Sequence, residues 1–223
     1  KLMQLFFDPQ TVAEIGATDQ LMRPGNHLFQ NLLASFGDRF YPINPRLSKI
    51  GNHQCYPSIR EVPARIDVAV VFIPAPAVPE ALSQCAEQGV RRVIIESGGF
   101  AEVGGEGEIL SLRCLAIARE AGMRLWGPNC MGLLNVPQRK VLYFMIPMMW
   151  KDRLVTGPVS LVVQSGMLSA GFLMHILSRT PFGLAKVCSI GNKIDVDEVD
   201  LLEYLVQDPD TGVIAMYLES LAR

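Results

Sequence analysis

Residues 68–97, VAVVFIPAPAVPEALSQCAEQGVRRVIIES, hold a complete β-α-β unit. Val68–Ile73 is a short β-branched apolar run, and Pro74-Ala75-Pro76 ends it in a stiff turn that lacks two N–H donors. Val78, Leu82, Cys85 and Ala86 then recur at helical spacing, Gly89 stands where a left-handed helix cap puts glycine, and Arg92–Glu96 begins the next apolar run. Strands this uniformly apolar are buried on both faces, which is the condition of a parallel sheet. Parallel strands joined by helical crossovers wind right-handed, so the fold class is α/β.

The same rhythm extends in both directions. Thr11–Ile15 and Phe40–Ile43 precede the unit and Met123–Trp126 follows it. Leu28, Leu32 and Leu33 mark one further helix; Ile109, Leu112, Leu115 and Ile117, with Gly122 as a cap, mark another. These strands make one open, doubly wound parallel sheet. After Asn135 the rhythm breaks: residues 136–156 contain Pro137, Pro147, Met145, Met148 and Met149 and show no period. Alternation restarts with strand Val159–Val163, helix Met167–Ser178, strand Lys186–Ser189, helix Val199–Val206 and strand Val213–Leu218. Three strands are too few for an independent α/β domain. The expected organisation is a first domain over residues 1–136, a partly packed linker over 137–157, and the first part of a second α/β domain over 158–223.

Composition sets the outer limits. The chain has 223 residues, 49% hydrophobic and 19% charged, which is ample for a sizeable core. Its 20 Lys plus Arg against 22 Asp plus Glu leave a net charge of −2, without the basic surplus that neutralises nucleic-acid phosphates. The longest apolar stretch, Val68 to Val78, is far short of the ~20 residues that cross a bilayer and is interrupted by proline. Cys55, Cys85, Cys114, Cys130 and Cys188 are odd in number and form no C-x-x-C pair or zinc-type cluster, so no metal site is expected and a reducing compartment is. With no signal-like segment after Lys1, the expected location is the cytoplasm. The missing initiator methionine and the stop at Leu221-Ala222-Arg223 point to a partial polypeptide.

In open α/β sheets the ligand lies beyond the carboxyl ends of the strands. The first strand ends in Ile15-Gly16-Ala17-Thr18, with Pro24-Gly25-Asn26 opening the next helix, a place where unpaired N–H groups can meet a phosphate. The second ends in Asn44-Pro45-Arg46; a cation there suits a phosphorylated ribose, either NADP or a 3′-phosphoadenosine such as CoA. Pro74-Ala75-Pro76 can offer a flat apolar wall. The fourth and fifth strands end in Ser97-Gly98-Gly99-Phe100-Ala101-Glu102 and Gly127-Pro128-Asn129-Cys130-Met131-Gly132, small and polar residues that let a ligand approach the backbone. In the second half, Val163-Gln164-Ser165-Gly166-Met167 is a strand–turn–helix with a hydroxyl at the helix start, an anion site in principle. It lacks the flanking glycines of a nucleophile elbow, and no acid–His pair accompanies it.

Taken together these stretches resemble a known family. Phe7-Asp8-Pro9-Gln10-Thr11-Val12 leading to Gly16-Ala17-Thr18, then Tyr41-Pro42-Ile43-Asn44-Pro45, Cys55-Tyr56-Pro57-Ser58, Ile73-Pro74-Ala75, Ser97 to Glu102 and Gly127 to Gly132 are similar to the CoA-binding domain of ADP-forming acyl-CoA synthetases, relatives of the succinyl-CoA synthetase α subunit. Gln164-Ser165-Gly166, Gly191 to Glu198, Asp208-Pro209-Asp210-Thr211 and Tyr217-Leu218-Glu219 resemble the start of that family's ligase domain. The resemblance implies a Rossmann-like CoA-binding sheet followed by an incomplete flavodoxin-like α/β domain. It implies a ligase that joins a carboxylic acid to CoA at the expense of ATP through an acyl phosphate and a phosphohistidine, with ATP/ADP and Mg carried by an ATP-grasp partner, in an oligomer.

By the same resemblance Gly16, Ala17, Thr18, Asn44, Pro45 and Arg46 line the nucleotide end of CoA, and Pro74, Ala75 and Pro76 flank its adenine and pantetheine. Ser97, Gly98, Phe100, Asn129 and Cys130 lie toward the thiol and acyl group. Ser165 and Gly166 hold the transferred phosphoryl group, and Glu219 braces the reactive histidine, fixing its tautomer. There are departures. Leu28 and Ser220 stand where relatives carry glycine, and the phosphorylated histidine is not matched by His27, His53 or His175. This polypeptide alone is therefore expected to be inactive. The acid is not specified, although Tyr143 to Trp150 offers apolar side chains to an acyl group. Two other readings are a non-catalytic CoA sensor and, from Arg46, an NADP-dependent oxidoreductase without a G-x-G-x-x-G loop.

Overall fold

The computed structural model describes residues 3–147, 152–179 and 182–222. In chain order the elements are α1 (Gln4–Phe7), β1 (Val12–Ile15), α2 (Pro24–Phe36), β2 (Phe40–Ile43), β3 (Lys49–Ile50), β4 (His53–Gln54), β5 (Val68–Val71), α3 (Val78–Glu87), β6 (Arg92–Ile95), α4 (Glu106–Ala121), β7 (Arg124–Trp126), β8 (Gly132–Asn135), β9 (Lys140–Tyr143), β10 (Thr156–Val163), α5 (Gly166–Arg179), β11 (Leu184–Ser189), α6 (Glu198–Leu205) and β12 (Val213–Tyr217). The first sheet runs β2-β1-β5-β6-β7 with every pairing parallel, the doubly wound arrangement that the alternating pattern implies. Its winding reverses between β1 and β5, and the loops after those two strands therefore flank the crevice where such sheets take ligands.

Strand parity sorts the first sheet's side chains between two cores. Ala13, Ile15, Ala69, Val71, Val93 and Ile95 face α3 and α4. Val12, Val68, Val70 and Ile94 face a core shared with the second sheet, where Leu28 and Leu32 of α2 meet Phe6, Phe7, Trp126, Leu133, Leu142, Val162, Cys188 and Leu201. Trp126 sits at its centre, fully buried, with Nε1 donating to the Ser189 carbonyl at 2.7 Å. The chain's two halves are packed through one continuous apolar region.

The second sheet runs β12-β10-β11-β8-β9. β10 pairs in parallel with β11 and β12, while β8 pairs antiparallel with both β11 and β9. The stretch read as a linker thus contains a strand, Lys140–Tyr143, and the hairpin it forms with β8 extends the three strands recognised in the second half to five. The hairpin carries no glycine signal because its turn places Arg139, not glycine, at positive φ (53°). Met148, Met149 and Trp150, named with that stretch, lie outside the described residues. A second departure concerns α4. Its apolar residues Ile109 and Leu112 are 66% and 67% exposed, and the inward face is Gly107, Ser111, Cys114 and Ala118. Small residues win there because the helix runs so close to the preceding loop that a Cβ on Gly107 would stand 1.9 Å from the Phe100 carbonyl.

Candidate functional site

The loop after β1 is held rigidly at the switch point. Gly16 and Ala17 N–H both donate to the Ile43 carbonyl, at 3.0 and 3.2 Å. Gly16 has φ +108°, and a Cβ on it would lie 2.3 Å from the Phe72 carbonyl, so only glycine lets β1's exit pass β5's. Gly25 opens α2 directly against this loop, and Asn26, buried, donates from Nδ2 to the Thr18 carbonyl at 2.7 Å. Asn44 donates to the Ala17 carbonyl at 2.7 Å while its Oδ1 accepts from the Arg46 N–H at 2.8 Å. The Asn44 side chain is thus occupied in bracing the first two strand ends. Arg46 is exposed beside it, and its guanidinium makes no hydrogen bond or ion pair among the described residues. Pro45 is exposed too.

The next two strand ends interlock with this edge. Pro74 caps the short turn Ala75–Ala77, whose Ala75 Cβ would sit 3.2 Å from a Cβ on Gly99. The Ser97 hydroxyl accepts from the Ile73 N–H at 3.1 Å, and the Ser97 carbonyl accepts from the Asn129 N–H at 2.8 Å. Gly98 is pressed against the Asn129 side chain, Oδ1 standing 3.1 Å from where its Cβ would be. Phe100 is fully buried in the α3/α4 core and presents no ring to a ligand. Cys130 is buried, donates to the Ile95 carbonyl at 3.4 Å, and has its thiol pKa pushed well up by burial, then by Glu96, which keeps it a poor nucleophile.

Glu102, part of a quoted motif but not among the residues assigned to the site, joins the two halves. Its carboxylate accepts from the N–H groups of Gly99 (2.5 Å) and Phe100 (3.1 Å) and from Asn192 Nδ2 (2.5 Å). Burial opposes its charge, but the bonds from Gly99 and Asn192 prevail and hold its pKa below the ordinary value. Asn129 Nδ2 approaches Asn192 Oδ1 at 3.4 Å from the other side.

These contacts wall one side of a cleft of about 570 Å³ between the halves. Its lining brings together Asn129 and Cys130 from the first sheet, Gln164, Ser165 and Gly166 from the β10–α5 turn, and Glu219 after β12. Ser165 Oγ accepts from the Leu168 N–H at 3.3 Å and so caps its own helix, leaving the helix start open to the cleft. Gln164 Oε1 accepts from the N–H groups of Glu219 (2.8 Å) and Ser220 (3.1 Å), fixing the backbone that carries Glu219. The Glu219 carboxylate is exposed with no side-chain hydrogen bond among the described residues, and none of His27, His53 and His175 lines the cleft. Gly16, Arg46 and Pro74 lie along the first sheet's edge, outside this lining.

Two buried acids went unnoticed in the sequence. Glu14 is fully buried in the middle of β1 and Glu96, at the end of β6, is 3% exposed; among the described residues neither carboxyl has a hydrogen-bond partner. Parity puts both on the face that carries Val12 and Ile94. Burial drives both pKa values well up, and Glu14 raises that of Glu96 further. Glu96 lines the cleft; Glu14 does not. The signal that could have found them is an acid inside an all-apolar strand, as in Val12-Ala13-Glu14-Ile15. A larger cleft, about 610 Å³, opens beside α1 and α6, but all its charged residues except Glu203 are spent on ion pairs: Arg124 with Asp200, Lys186 with Asp208 and Asp210, and Asp8 with Lys140.

The two halves of the chain are similar to known proteins. Residues 10–135 match the CoA binding domain family and residues 156–223 the succinyl-CoA ligase like flavodoxin domain. The chain is 36% identical over 223 residues to an ADP-forming acetate–CoA ligase II of Archaeoglobus fulgidus, covering 99% of this chain and 32% of that protein. It is 34% identical over 220 residues to the α subunit of ADP-forming acetate–CoA ligase II of Pyrococcus furiosus, covering 99% and 47%. Among solved structures, the Ca. Korarchaeum cryptofilum dinucleotide-forming acetyl-coenzyme A synthetase 1 in complex with phosphate and ADP superposes with a TM-score of 0.91 at 35% identity, over 99% of this chain and 46% of that one. The chain thus spans a third to a half of the length of these relatives.

Proposed function

We propose, from the premise that the chain belongs to the ADP-forming acyl-CoA synthetase family, that it is the CoA-binding portion of an acid–CoA ligase that makes an acyl-CoA thioester from a carboxylic acid, CoA and ATP. The observation that carries this reading is the cleft in which Asn129 and Cys130 face the open start of α5 and Glu219. A thiol arriving along the first sheet's edge and a phosphoryl group at the helix start would meet there.

In this proposal the Gly16–Thr18 backbone, braced by Asn44, approaches the nucleotide end of CoA, and the free Arg46 guanidinium pairs with its phosphates. Pro45 and the Pro74-Ala75-Pro76 turn border the adenine and pantetheine. Ser97, Gly98 and Phe100 act by shaping the loop that turns the thiol toward Asn129 and Cys130. Ser165 and Gly166 hold the phosphoryl group, and Glu219 orients a histidine supplied from outside these 223 residues. ATP, ADP and Mg²⁺ belong to an ATP-grasp partner, and the chain by itself binds CoA without turning over. The five free, buried cysteines suit a reducing compartment, and we place the protein in the cytoplasm. Among the described residues no helix is long and apolar enough to cross a membrane. A pure sensor would have no use for Glu219 at the mouth of the cleft, and an NADP enzyme has no observation in its favour beyond Arg46.

Titration calorimetry tests the reading. The chain is expected to bind CoA in the micromolar range and NADP far more weakly. Clear NADP binding with no heat from CoA overturns it.

A further inference from the structure

We propose that Glu96 is the residue that selects the acid, and that it selects carboxylic acids bearing a hydroxyl at the end remote from the reacting carboxylate. The inference rests on the functional reading above: if the thiol comes from the side of Asn129 and the phosphoryl group from Gly166, the acyl chain between them must occupy the 570 Å³ cleft.

The inner wall of that cleft is apolar, formed by Cys130, Met131 and Phe144, with Phe144 stacked on Phe72 at 5.2 Å. Into this wall is set one carboxyl, that of Glu96, which is 3% exposed and has both oxygens without a hydrogen-bond partner among the described residues. The backbone makes room for it: Gly132 has φ +93°, and a Cβ there would lie 2.5 Å from Glu96 Oε1. A buried polar group left unsatisfied is costly, and a strand end flanked by Ile94 and Ile95 would be more stable with an aliphatic residue. Such a cost is retained where a ligand repays it, and sites with an unpaired polar group discriminate strongly against ligands lacking its complement.

The surroundings decide which complement. Among the described residues no Lys or Arg lines the cleft, whereas Glu102 and Glu219 do, so a second carboxylate on the acid would be buried beside Glu96 among like charges without a counter-charge and is rejected. An ammonium would be held by the carboxylates of Glu102 and Glu219 in the same lining; to sit at Glu96 it would have to be stripped of water and would require Glu96 to ionise on the sheet face it shares with the buried Glu14. A hydroxyl needs neither: a neutral carboxyl accepts from it through the carbonyl oxygen and donates to it through the O–H.

The test uses the 223-residue chain and CoA thioesters of equal, short chain length carrying a terminal hydroxyl, methyl, carboxylate or amine. Calorimetry is expected to rank the hydroxyacyl thioester about tenfold tighter than the methyl-terminated one, with the carboxylate weakest. Glu96→Met, which removes an unpartnered acid at similar volume, is expected to fold with an equal or higher Tm, to bind free CoA unchanged, and to take the hydroxyl- and methyl-terminated thioesters equally. Glu96→Gln keeps part of the preference. In the wild-type chain the hydroxyacyl thioester shifts an infrared carbonyl band of a protonated carboxylic acid, and the methyl-terminated one does not. Equal affinities in the wild type, a preference that survives in Glu96→Met, an unshifted band, or tightest binding of the amine overturns the role of Glu96 while free CoA still binds. Loss of free CoA binding by the wild type overturns the functional reading instead.

Discussion

Glu198 and Glu96 are buried to the same degree, 3% exposed each, and they are opposites in everything else. Glu198, at the start of α6, accepts from Lys193 Nζ at 2.9 Å and from the Ala222 N–H at 2.6 Å, and Lys193 also donates to the Ser220 carbonyl at 2.6 Å. Glu96, at the end of β6, has no partner among the described residues. The Gly191–Glu198 segment follows the first pattern throughout: Asn192 donates to Glu102, Asp195 accepts from Arg124 and the Leu125 N–H, and Asp197 caps α6. Its polar residues are used in joining the halves and in placing the strand end that carries Glu219. At equal burial, then, pairing separates a side chain that builds the scaffold from one that awaits something else.

The largest effect should come from breaking the paired side of this comparison. Glu198→Ala leaves the Lys193 ammonium buried without its counter-charge, held only by the Ser220 carbonyl, and its side chain is only 3% exposed. Loss of one partner of a buried pair costs about 3–5 kcal/mol, read as a drop in the urea-unfolding free energy. A loss under about 1 kcal/mol would mean that the pair is replaceable by solvent and the contrast with Glu96 is empty.

The two classes also give opposite pH responses. Glu14 and Glu96 have folded-state pKa values well above the ordinary 4.5, so they keep protons that the unfolded chain has already released. Their contribution is whole below about pH 4.5 and declines as pH rises through the raised values, by at most about 1.4 kcal/mol per pH unit for each group. For Glu198 burial raises the pKa, but the hydrogen bonds from Lys193 and Ala222 outweigh it and lower it overall, so its contribution is present above about pH 4.5 and is lost as pH falls below. The double variant Glu14→Gln, Glu96→Gln should flatten the decline on the alkaline side and leave the acid side in place. An unchanged alkaline limb in the stability–pH curve would show that the two acids are already solvated.

How much of this could be read from the chain alone divides along the same line. The strands of the first sheet and the second-half alternation were legible because unbroken apolar runs and helical stripes report burial directly, as in Val68–Val71 and Leu28, Leu32. The β8–β9 hairpin was not, because Arg139 does at its turn what glycine usually does. The buried face of α4 was misread since its contacts use Gly107, Ser111 and Cys114, residues that carry no hydrophobic signal. At the proposed site, the motifs picked out loops but not the division of labour within them. Asn44, Ser97 and Phe100 brace or pack, while Arg46 and Glu219 stay free, and that distinction exists only between residues distant in sequence. Glu14 passed for an ordinary strand residue although the apolar Val12, Ala13 and Ile15 around it mark the strand as buried on both faces.

A smaller effect, of opposite sign to that of Glu198→Ala, is expected from Glu14→Leu. The position is fully buried, faces Val12, Val70 and Ile94 in the shared core, and lies outside the cleft. Replacing an unsatisfied acid by an apolar side chain of similar size should raise the unfolding free energy by about 1–2 kcal/mol without altering CoA affinity. Destabilisation would show that Glu14 has a structural partner and would remove it from the unpaired class.

Arg46 extends the comparison to the surface, and there the change in stability should be smallest. Its guanidinium is exposed and unpaired among the described residues, so Arg46→Ala should shift the unfolding free energy by no more than about 0.5 kcal/mol. Affinity is where the loss should appear. A charge-assisted hydrogen bond to phosphate is among the stronger polar contacts, and its removal should weaken CoA about tenfold. Dephospho-CoA, which lacks the 3′-phosphate, already forgoes that contact and should lose much less. Calorimetry on the two ligands with both proteins separates a specific phosphate contact from a general attraction between one cation and an anion. Equal losses for CoA and dephospho-CoA would take Arg46 off the 3′-phosphate and leave the Gly16–Thr18 backbone to hold the nucleotide end by itself.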